Sequence, residues 1–484
     1  MFSSMIGRKA PDFSNFEWIN SKQLSMKDLN GYIVILDFWT YCCINCMHML
    51  HTLSAIEEKY KDKPVIVIGI HSAKFYNEQV KENIEQAIER YEINHPVVVD
   101  KDMKIWQMYG INAWPTIVII DPKGNIVYKQ SGEGQQEYIE DVVDILLERY
   151  KPDKKPLRFY KARKRHGLAF PGKISLSNNR LAISDSNNNR ILIVSLDGEI
   201  EEVIGGKQGF RDGSFKDAQF YRPQGVLCVK DKIYVADTEN HALRVIDLSS
   251  NEVKTLAGTG EEAWHFLNKD PKETPLNSPW DLAYYDNRLY IAMAGLHQIW
   301  RYDLSLNRLE VFAGNGYEGL LDGNLHEAEF AQPSGLSINA DKLYVADSET
   351  SSIRMIDLNN KYVKTIIGKD LFIFGYKDGN LSEGLLQHPI GLDAHDDKIY
   401  VADTYNHAIR VIDLEKRVIN TLIGKDNSIC TDRCELLLYE PNDVKYHNNR
   451  LYITDTNNHL IRVYDLNKNK LDVLNIDFSS RIRA

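Results

Sequence analysis

The stretch YIVILDFWTYCCINCMHML, residues 32–50, places three of the chain's six cysteines within five positions. The apolar run at residues 32–39 is typical of a fully buried strand. After the cysteines, apolar side chains recur at helical spacing, at Met47, Leu50, Leu53, Ile56 and Tyr60. The cysteines therefore lie where a strand turns into a helix, with Cys43 at the helix start. Thiols at helix N-termini ionise with pKa values of about 3.5–7.5, against about 8.5 for an ordinary cysteine, so the pattern predicts a reactive thiol.

Strands and helices alternate downstream of the cysteines. The apolar runs VIVIGI, VVVD, TIVIID and IVYKQ predict strands at residues 65–70, 97–100, 116–121 and 126–130. Polar stretches with helical periodicity predict helices near residues 77–91 and 135–150. This order predicts an α/β domain over residues 1–150, in which a hairpin and a helix come last.

Three features, in the expected order, make this domain resemble a thioredoxin fold. Cys43-Ile44-Asn45-Cys46 matches the CxxC motif, and Asp37 matches the buried acid six residues upstream of it. Ala113-Trp114-Pro115-Thr116 matches the cis-proline loop of that fold. Departures from thioredoxin itself are Ile44-Asn45 in place of Gly-Pro and Cys42 in place of a tryptophan.

The resemblance implies a role for each of these residues. Cys43 would be the nucleophile, Cys46 would attack the resulting mixed disulfide, and Asp37 would relay the proton of Cys46. Pro115 would expose backbone for a substrate strand. The other side chains that we expect at the substrate site are Trp39, Cys42 and Trp114. Thiol-disulfide exchange by this route needs no cofactor beyond a thiol electron donor, so the expected partners are a protein disulfide and that donor.

The third cysteine leaves a metal site open as an alternative. Cys42 and Cys46 are spaced as CxxxC, which resembles the copper-delivering members of the fold. Soft thiolates and imidazole together suit Cu(I) or zinc. The histidines available to complete such a site are His48, His51, His71 and His95.

Three further interpretations concern individual cysteines. Thr40 and Cys43 match half of a peroxiredoxin site, but Leu36 stands where that motif has a proline. The plain structural interpretation of Cys42 is a small apolar packing residue. In the segment SICTDRCELLL we expect Cys430 and Cys434 to be inert loop thiols.

Composition bounds the class of protein. With 43% hydrophobic and 26% charged residues, the chain is expected to be folded and soluble. The first residues, MFSSMIGRKAPDF, contain no apolar run typical of a signal peptide, and no later segment approaches the length of a membrane span. Six cysteines in 484 residues are too few for a disulfide scaffold, which favours a reducing compartment. The sequence therefore predicts a cytoplasmic protein with no membrane partner.

The net charge of −10 is unevenly distributed. Residues 151–170 carry eight basic side chains and one acidic side chain, whereas the segments on either side are both acidic. This pattern predicts a basic linker at residues 151–170 that can dock on its acidic neighbours. The large acidic region that follows disfavours nucleic acid as a partner.

From residue 171 to residue 484 the chain repeats itself. A proline followed by an aliphatic strand recurs at intervals of 52 to 56 residues, at Pro171, Pro223, Pro279, Pro333, Pro389 and Pro441. Within each unit, alternating apolar residues predict about four short antiparallel strands, as in KIYVADTYNHAIRVIDLEKRVINTLIG at residues 398–424. Six such units predict a six-bladed β-propeller.

These units resemble NHL repeats. The resemblance is carried by Tyr-Val-Ala-Asp and Asn-His-x-Ile-Arg-Val stretches, such as Tyr400–Asp403 and Asn406–Val411. An aspartate and an arginine recur in most blades, as Asp237 with Arg244, Asp347 with Arg354, Asp403 with Arg410 and Asp455 with Arg462. A residue needed in every blade is expected to be structural, so we predict pairing between strands rather than a ring of ligand-binding groups.

Taken together, the two parts resemble the family of NHL repeat-containing thioredoxin-like proteins over essentially the whole chain. The favoured hypothesis is a thiol-disulfide oxidoreductase whose propeller is a protein-binding platform. The alternative is a non-catalytic scaffold in which the thiols only sense redox state. Copper or zinc binding through CxxxC plus histidine is the third hypothesis.

Overall fold

The computed structural model of the protein describes residues 5–159, 167–424 and 438–479. The chain forms two compact units, Met1–Lys164 and Arg165–Ala484. Within the described ranges, no helix is long and apolar enough to cross a membrane. Cys430 and Cys434 lie outside those ranges, and the expectation that they are inert stays a prediction.

The first unit is a six-stranded mixed sheet flanked by helices. Its strands are β1 (Glu17–Ile19), β2 (Ile33–Trp39), β3 (Val65–Ser72), β4 (Val97–Asp100), β5 (Thr116–Ile120) and β6 (Ile126–Ser131). Their order in the sheet is β1-β4-β3-β2-β5-β6. Strands β2, β3 and β4 run parallel, and the other pairings are antiparallel. The helices are α1 (Ile44–Lys59), α2 (Lys81–Arg90), α3 (Lys104–Met108) and α4 (Gln136–Tyr150).

All seven residues of β2 are buried because both faces of the sheet are covered. Val34, Leu36 and Phe38 enter one core, which α3 covers. Ile33 and Ile35 enter the other core, beneath α1 and α4. Each such side chain stabilises the fold by about 1.5–3 kcal/mol. Asp37 is therefore an exception, since its position in β2 is one where an apolar side chain would normally add to the core.

The predicted elements of the first unit are present. The four predicted strands after the cysteines are β3 to β6, and the second predicted helix is α4. The helix expected near residues 77–91 is divided into a single turn of 3-10 helix at Asn77–Gln79 and α2. The sequence analysis missed β1 and α3, because elements of three and five residues are too short to show a period.

The start of the predicted linker packs on the first unit. The Tyr32 hydroxyl donates a hydrogen bond to the carbonyl of Lys155 at 2.9 Å, and Phe159 packs against the core that contains β2. Arg158 pairs with Asp62 at 2.8 Å, but both side chains are mostly exposed, so this ion pair adds little stability.

The second unit is a six-bladed β-propeller, which confirms the predicted fold class. Every blade is an antiparallel sheet with four main strands, and blades two, four and five add a two-residue outer strand. The strands of blades one to three are Ile174–Ser177, Arg180–Asp185, Arg190–Ser195 and Ile200–Gly205; Gly213–Ser214, Gly225–Val229, Lys232–Asp237, Ala242–Asp247 and Glu252–Ala257; Pro279–Tyr285, Arg288–Met293, Gln298–Asp303 and Arg308–Ala313. Those of blades four to six are Gly323–Asn324, Pro333–Asn339, Lys342–Asp347, Ser352–Asp357 and Tyr362–Ile367; Gly379–Asn380, Gly391–His395, Lys398–Asp403, Ala408–Asp413 and Val418–Ile423; Asp443–His447, Arg450–Asp455, Leu460–Asp465 and Lys470–Val473.

The recurring aspartates and arginines form buried pairs between adjacent strands, as predicted. Asp403 accepts a hydrogen bond from Arg410 at 2.6 Å, and Asp237 accepts one from Arg244 at 2.7 Å. The second oxygen of Asp403 accepts from the backbone N–H of Gln387, in the segment that enters the blade. The pair therefore ties two strands and the incoming segment together, which is a structural role.

The recurring prolines are explained by bonds between blades. The residue after each aspartate donates its hydroxyl hydrogen to the carbonyl of the next blade's proline, as Thr404 does to Pro441 at 2.8 Å. Thr456 of blade six donates to Pro171 of blade one at 2.8 Å, which helps to close the ring. Blade three has Ala294 at this position, so it lacks the hydroxyl.

Candidate active site

Cys43 begins helix α1. It is the N-cap residue, with φ −84° and ψ 118°, and its Sγ accepts a hydrogen bond from the backbone N–H of Cys46 at 3.4 Å. The first turn of α1 contains no acidic residue. N–H groups at a helix start favour negative charge on the capping atom. Cys43 is partly exposed, whereas Cys42 and Cys46 are buried.

Cys46 and Asp37 are buried beneath Cys43. Both residues are fully shielded from solvent. Burial, the hydrogen bond with Cys43 and the negative charge of Asp37 raise the pKa of Cys46 well above its usual range. Burial also raises the pKa of Asp37 to about 7, although the positive charge of His95 opposes this shift. The Asp37 carboxyl therefore changes charge near neutral pH, as a group that accepts and returns the Cys46 proton requires.

The register of the sheet brings the Pro115 loop to the carboxyl end of β2. Phe38 pairs with Thr116 between β2 and β5, so Pro115 lies beside Trp39, where the chain turns toward Cys43. The Trp114–Pro115 peptide bond is cis. Trp114 donates a hydrogen bond from Nε1 to the carbonyl of Ser72 at 3.0 Å, which fixes the loop to β3.

The structure places Trp39 and Cys42 inside the first unit. Their exposed fractions are 1% and 0%. The backbone N–H of Cys42 donates to Glu78 Oε1 at 2.8 Å, and its Sγ lies 3.9 Å from Thr40 Oγ1. These surroundings agree with Cys42 as a packing residue. Substrate contact by Trp39, Cys42 and Trp114 stays a prediction.

Sequence reasoning missed Glu78, which positions the cysteine turn. Its buried carboxylate accepts hydrogen bonds from the backbone N–H groups of Cys42, Lys74 and Phe75. One side chain thus joins the turn after β2 to the segment after β3. A glutamate in a polar stretch gives no sequence signal for this role, because its partners lie up to 36 residues away.

Two buried histidines also belong to this region. His71 lies between Trp39 and Tyr41, with ring centroids 4.9 Å and 5.4 Å away. Burial lowers the pKa of His71 to about 3, so its imidazole is neutral at physiological pH. His95, considered among possible metal ligands, contacts Glu57 instead, with Nδ1 3.3 Å from Glu57 Oε2.

Among the described residues, the geometry gives no support to a metal site built on the cysteines. Across residues 5–159, 167–424 and 438–479, no cysteine sulfur lies with two other potential ligand atoms within 4.8 Å. His48 is paired with Glu133, with Nδ1 2.7 Å from Oε2. The CxxxC spacing of Cys42 and Cys46 is therefore not matched by a grouped set of ligands.

Comparison with known proteins adds two family matches. Residues 31–126 match the family of thioredoxin-like domains, and residues 386–412 and 438–464 match the NHL repeat. Thiol-disulfide oxidoreductase ResA of Bacillus cereus is 30% identical over 135 residues, which cover 28% of this chain and 75% of that protein.

Several relatives match nearly the whole chain. NHL repeat-containing protein 2 of Bos taurus is 40% identical over 517 residues, covering 96% of this chain and 71% of that protein. Protein SUPPRESSOR OF QUENCHING 1, chloroplastic, of Arabidopsis thaliana is 45% identical over 506 residues. That match covers 96% of this chain and 47% of the plant protein, so the chain spans about half the length of that relative.

Proposed function

The chain belongs to the family of NHL repeat-containing protein 2, and within it we propose that this protein is a thiol-disulfide oxidoreductase with Cys43 and Cys46 as its redox pair. The observation that carries the proposal is that three groups lie close together. A partly exposed sulfur caps a helix, and a buried sulfur lies one turn further on. A buried carboxyl, whose pKa burial raises to about 7, lies near enough for its charge to raise the pKa of the buried sulfur. A redox sensor without catalysis has no need of that carboxyl.

The proposed reaction has two steps. The Cys43 thiolate attacks a disulfide of the client protein, so that one client sulfur leaves and a mixed disulfide forms. Cys46 then gives its proton to the Asp37 carboxylate and attacks Cys43 Sγ, which forms the Cys43–Cys46 disulfide and releases the client's second sulfur as a thiolate. The client gains two electrons, the protein loses two, and an external dithiol restores the reduced pair.

The proposal also assigns a role to the propeller and a cellular compartment to the protein. We assign the propeller the role of a platform that binds the client protein, because the paired aspartates and arginines are occupied in structural bonds and leave recognition to its loops. The cytoplasm is the proposed location, since a reducing compartment keeps the Cys43–Cys46 pair available as a reductant.

Reduction of a disulfide peptide tests the proposal. The purified full-length protein is supplied with dithiothreitol as the donor, and thiol release from the peptide is followed over the uncatalysed background. We expect turnover with the natural protein and none with Cys43→Ser. Cys228→Ser is the matched control, because Cys228 lies in the propeller and burial raises its pKa to about 11, so it should retain full activity.

The non-catalytic scaffold predicts a different outcome. If the natural protein and Cys43→Ser both leave the peptide at the background rate, while both remain folded, the oxidoreductase proposal is rejected. Equal activity of the two proteins would also reject Cys43 as the nucleophile.

A further inference from the structure

Asp37 can exchange its proton with solvent only through a neighbouring group. The carboxyl is fully buried, and neither of its oxygens has a hydrogen-bond partner among the described residues. Buried polar atoms are normally paired, so two unpaired oxygens on one carboxyl call for an explanation. A base enclosed with Cys46 can only return its proton to Cys46, unless another group exchanges protons with it.

The space beside Asp37 lies next to a glycine, whose missing side chain lets two ring nitrogens approach. Gly69 is the neighbour of Asp37 in the parallel register of β2 and β3, so a side chain at position 69 would project from the same face of the sheet. A Cβ built there would lie 2.8 Å from Trp39 Nε1 and 3.5 Å from His95 Nε2. The two nitrogens therefore flank the space, and both are buried without a hydrogen-bond partner in the part of the chain that the structure describes.

The chain around His95 holds its ring at this position. The backbone N–H of Gly69 donates to the carbonyl of Pro96 at 2.9 Å, which fixes the turn before β4 against β3. The carbonyl of His95 accepts a hydrogen bond from Asn20 Nδ2 at 3.3 Å. His95 is 3% exposed, and its Nε2 lies 3.5 Å from the position of a Cβ on Gly69, the neighbour of Asp37 across the two strands.

The other side of the His95 ring leads outward. Nδ1 lies 3.3 Å from Glu57 Oε2, and one third of the Glu57 side chain is exposed. With Nδ1–H donating to that carboxylate, Nε2 keeps its lone pair and can accept a proton. Glu57 stands on α1, the same helix that carries Cys46.

We propose that His95 is the proton-exchange partner of Asp37, so that Cys46, Asp37, His95 and Glu57 form one route from the buried thiol to solvent. An internal water between the Asp37 carboxyl, His95 Nε2 and Trp39 Nε1 would satisfy the unpaired atoms and carry the proton across the space. This inference rests on the proposed function and adds a positioning residue to it. Sequence reasoning considered His95 only as a metal ligand.

The proton balance of each cycle is closed. Cys46 Sγ–H gives its proton to Asp37 as the sulfur attacks Cys43, and Asp37 then gives that proton to His95 Nε2. The imidazolium releases its Nδ1 proton to Glu57, from which water removes it. When the donor reduces the Cys43–Cys46 disulfide, a proton passes from solvent back along the same groups to Cys46, which restores the Nδ1–H form of His95. No electrons move along this route, because the two-electron transfer is confined to the sulfurs.

The charges around His95 favour its protonation, as a partner in proton exchange requires. Burial alone would lower the pKa of His95, but the carboxylates of Glu57 and Asp37 raise it overall. The groups facing this pair are Glu57 and Cys46 from α1 and Asp37 from β2, while His71 of β3 is neutral. Removing the His95 charge is therefore expected to raise the pKa of Asp37.

The test compares His95→Gln and Glu57→Gln with the natural protein. Glu58→Gln is the matched control, because Glu58 is the adjacent residue but is exposed and paired with Lys61. Single-turnover reaction with a disulfide peptide is measured between pH 5.5 and 9.5, and the first-order rate at saturating peptide reports the attack by Cys46. Difference infrared spectra against Asp37→Asn follow the protonation of Asp37 itself, with no need for activity.

We expect the rate and the infrared signal of the natural protein to change with a midpoint near pH 7. In His95→Gln both midpoints should move up by about one pH unit, which is about a fivefold lower rate at pH 7, while attack by Cys43 at low peptide concentration is unchanged. Glu57→Gln should shift the midpoints in the same direction, and Glu58→Gln should leave them in place.

Unchanged midpoints in both His95→Gln and Glu57→Gln would overturn the inference, and a rate loss that is equal at every pH would assign His95 a packing role only. If the natural protein shows no turnover, the proposed function fails, yet the infrared midpoints still decide whether His95 controls Asp37. Should His95→Gln not fold, Glu57→Gln carries the same comparison.

Discussion

At the level of a single residue, the buried Asp37 carboxyl lowers the free energy of unfolding at alkaline pH. Its carboxyl titrates near pH 7 in the folded protein instead of near 3.8, because burial penalises the charged form. A shift of this size corresponds to an upper bound of about 4 kcal/mol lost from the free energy of unfolding at pH 8. The folded carboxyl keeps its proton up to about pH 7, whereas the unfolded one releases it near pH 4. The stability contributed by this group therefore falls as the pH rises across that interval.

Asp37→Asn is predicted to remove this loss of stability. Asparagine has nearly the same shape and no charge, so the variant should be more stable than the natural protein at pH 8, with little gain at pH 4.5. Thermal unfolding of both proteins at the two pH values measures the difference. A variant that is equally destabilised at both pH values would show that the Asp37 charge is not the source of the cost.

The sequence predicted some residues of the site and missed others for a physical reason. Cys43, Cys46, Asp37 and Pro115 are predicted because they match short local patterns, and the structure brings them to one end of β2. Glu78, His95 and the space at Gly69 were not found as parts of this site. Their roles depend on how β3 and β4 bring distant segments beside β2, which no local pattern records.

At the scale of elements, the blades show which repeated residues the fold requires. The sequence predicted the number of blades and their strands, because one unit recurs at nearly constant spacing. Blade three departs from the pattern, with Met293 and Trp300 in place of the aspartate and the arginine. Both side chains are fully buried, so an apolar pair can replace the charged pair.

Blade five offers a test of this interpretation. Arg410→Met leaves Asp403 buried without its charge partner, which should cost about 3–5 kcal/mol. Asp403→Met combined with Arg410→Met removes both charges, as blade three does naturally, and should be less destabilising than the single change. Thermal unfolding of the three proteins compares them. A double variant that unfolds at a lower temperature than Arg410→Met would contradict a purely structural role for the pair.

At the scale of the whole molecule, each unit completes its own core, and the propeller must also close its ring. Residues after the last strand pack on blade one, where Leu474 joins the core that contains Ile174 and Leu181. The backbone N–H of Asp477 donates to the carbonyl of Gly198 at 3.0 Å. The repeat pattern predicts the six units but not this closure, because closure depends on segments nearly 280 residues apart.

Two glycines of blade one allow a test of how the propeller ring is closed. A Cβ on Gly198 would lie 1.9 Å from the backbone oxygen of Asn475, whereas a Cβ on Gly206 would meet nothing within 4 Å. Both residues have positive φ, 95° and 122°, so alanine strains the backbone at either position. Gly198→Ala should therefore lower the unfolding temperature of the propeller much more than Gly206→Ala. Equal losses would show that the contact does not hold the ring closed.

The central claim is that Cys43 attacks a client disulfide and Cys46 resolves the product. The most direct measurement is the intact mass of Cys46→Ser after reaction with a disulfide peptide, with the attachment site located by peptide mapping. We expect one stable adduct per chain of Cys46→Ser, joined through Cys43, and no such adduct with Cys43→Ser. Absence of an adduct in Cys46→Ser, or attachment through Cys42 or Cys228, would contradict it.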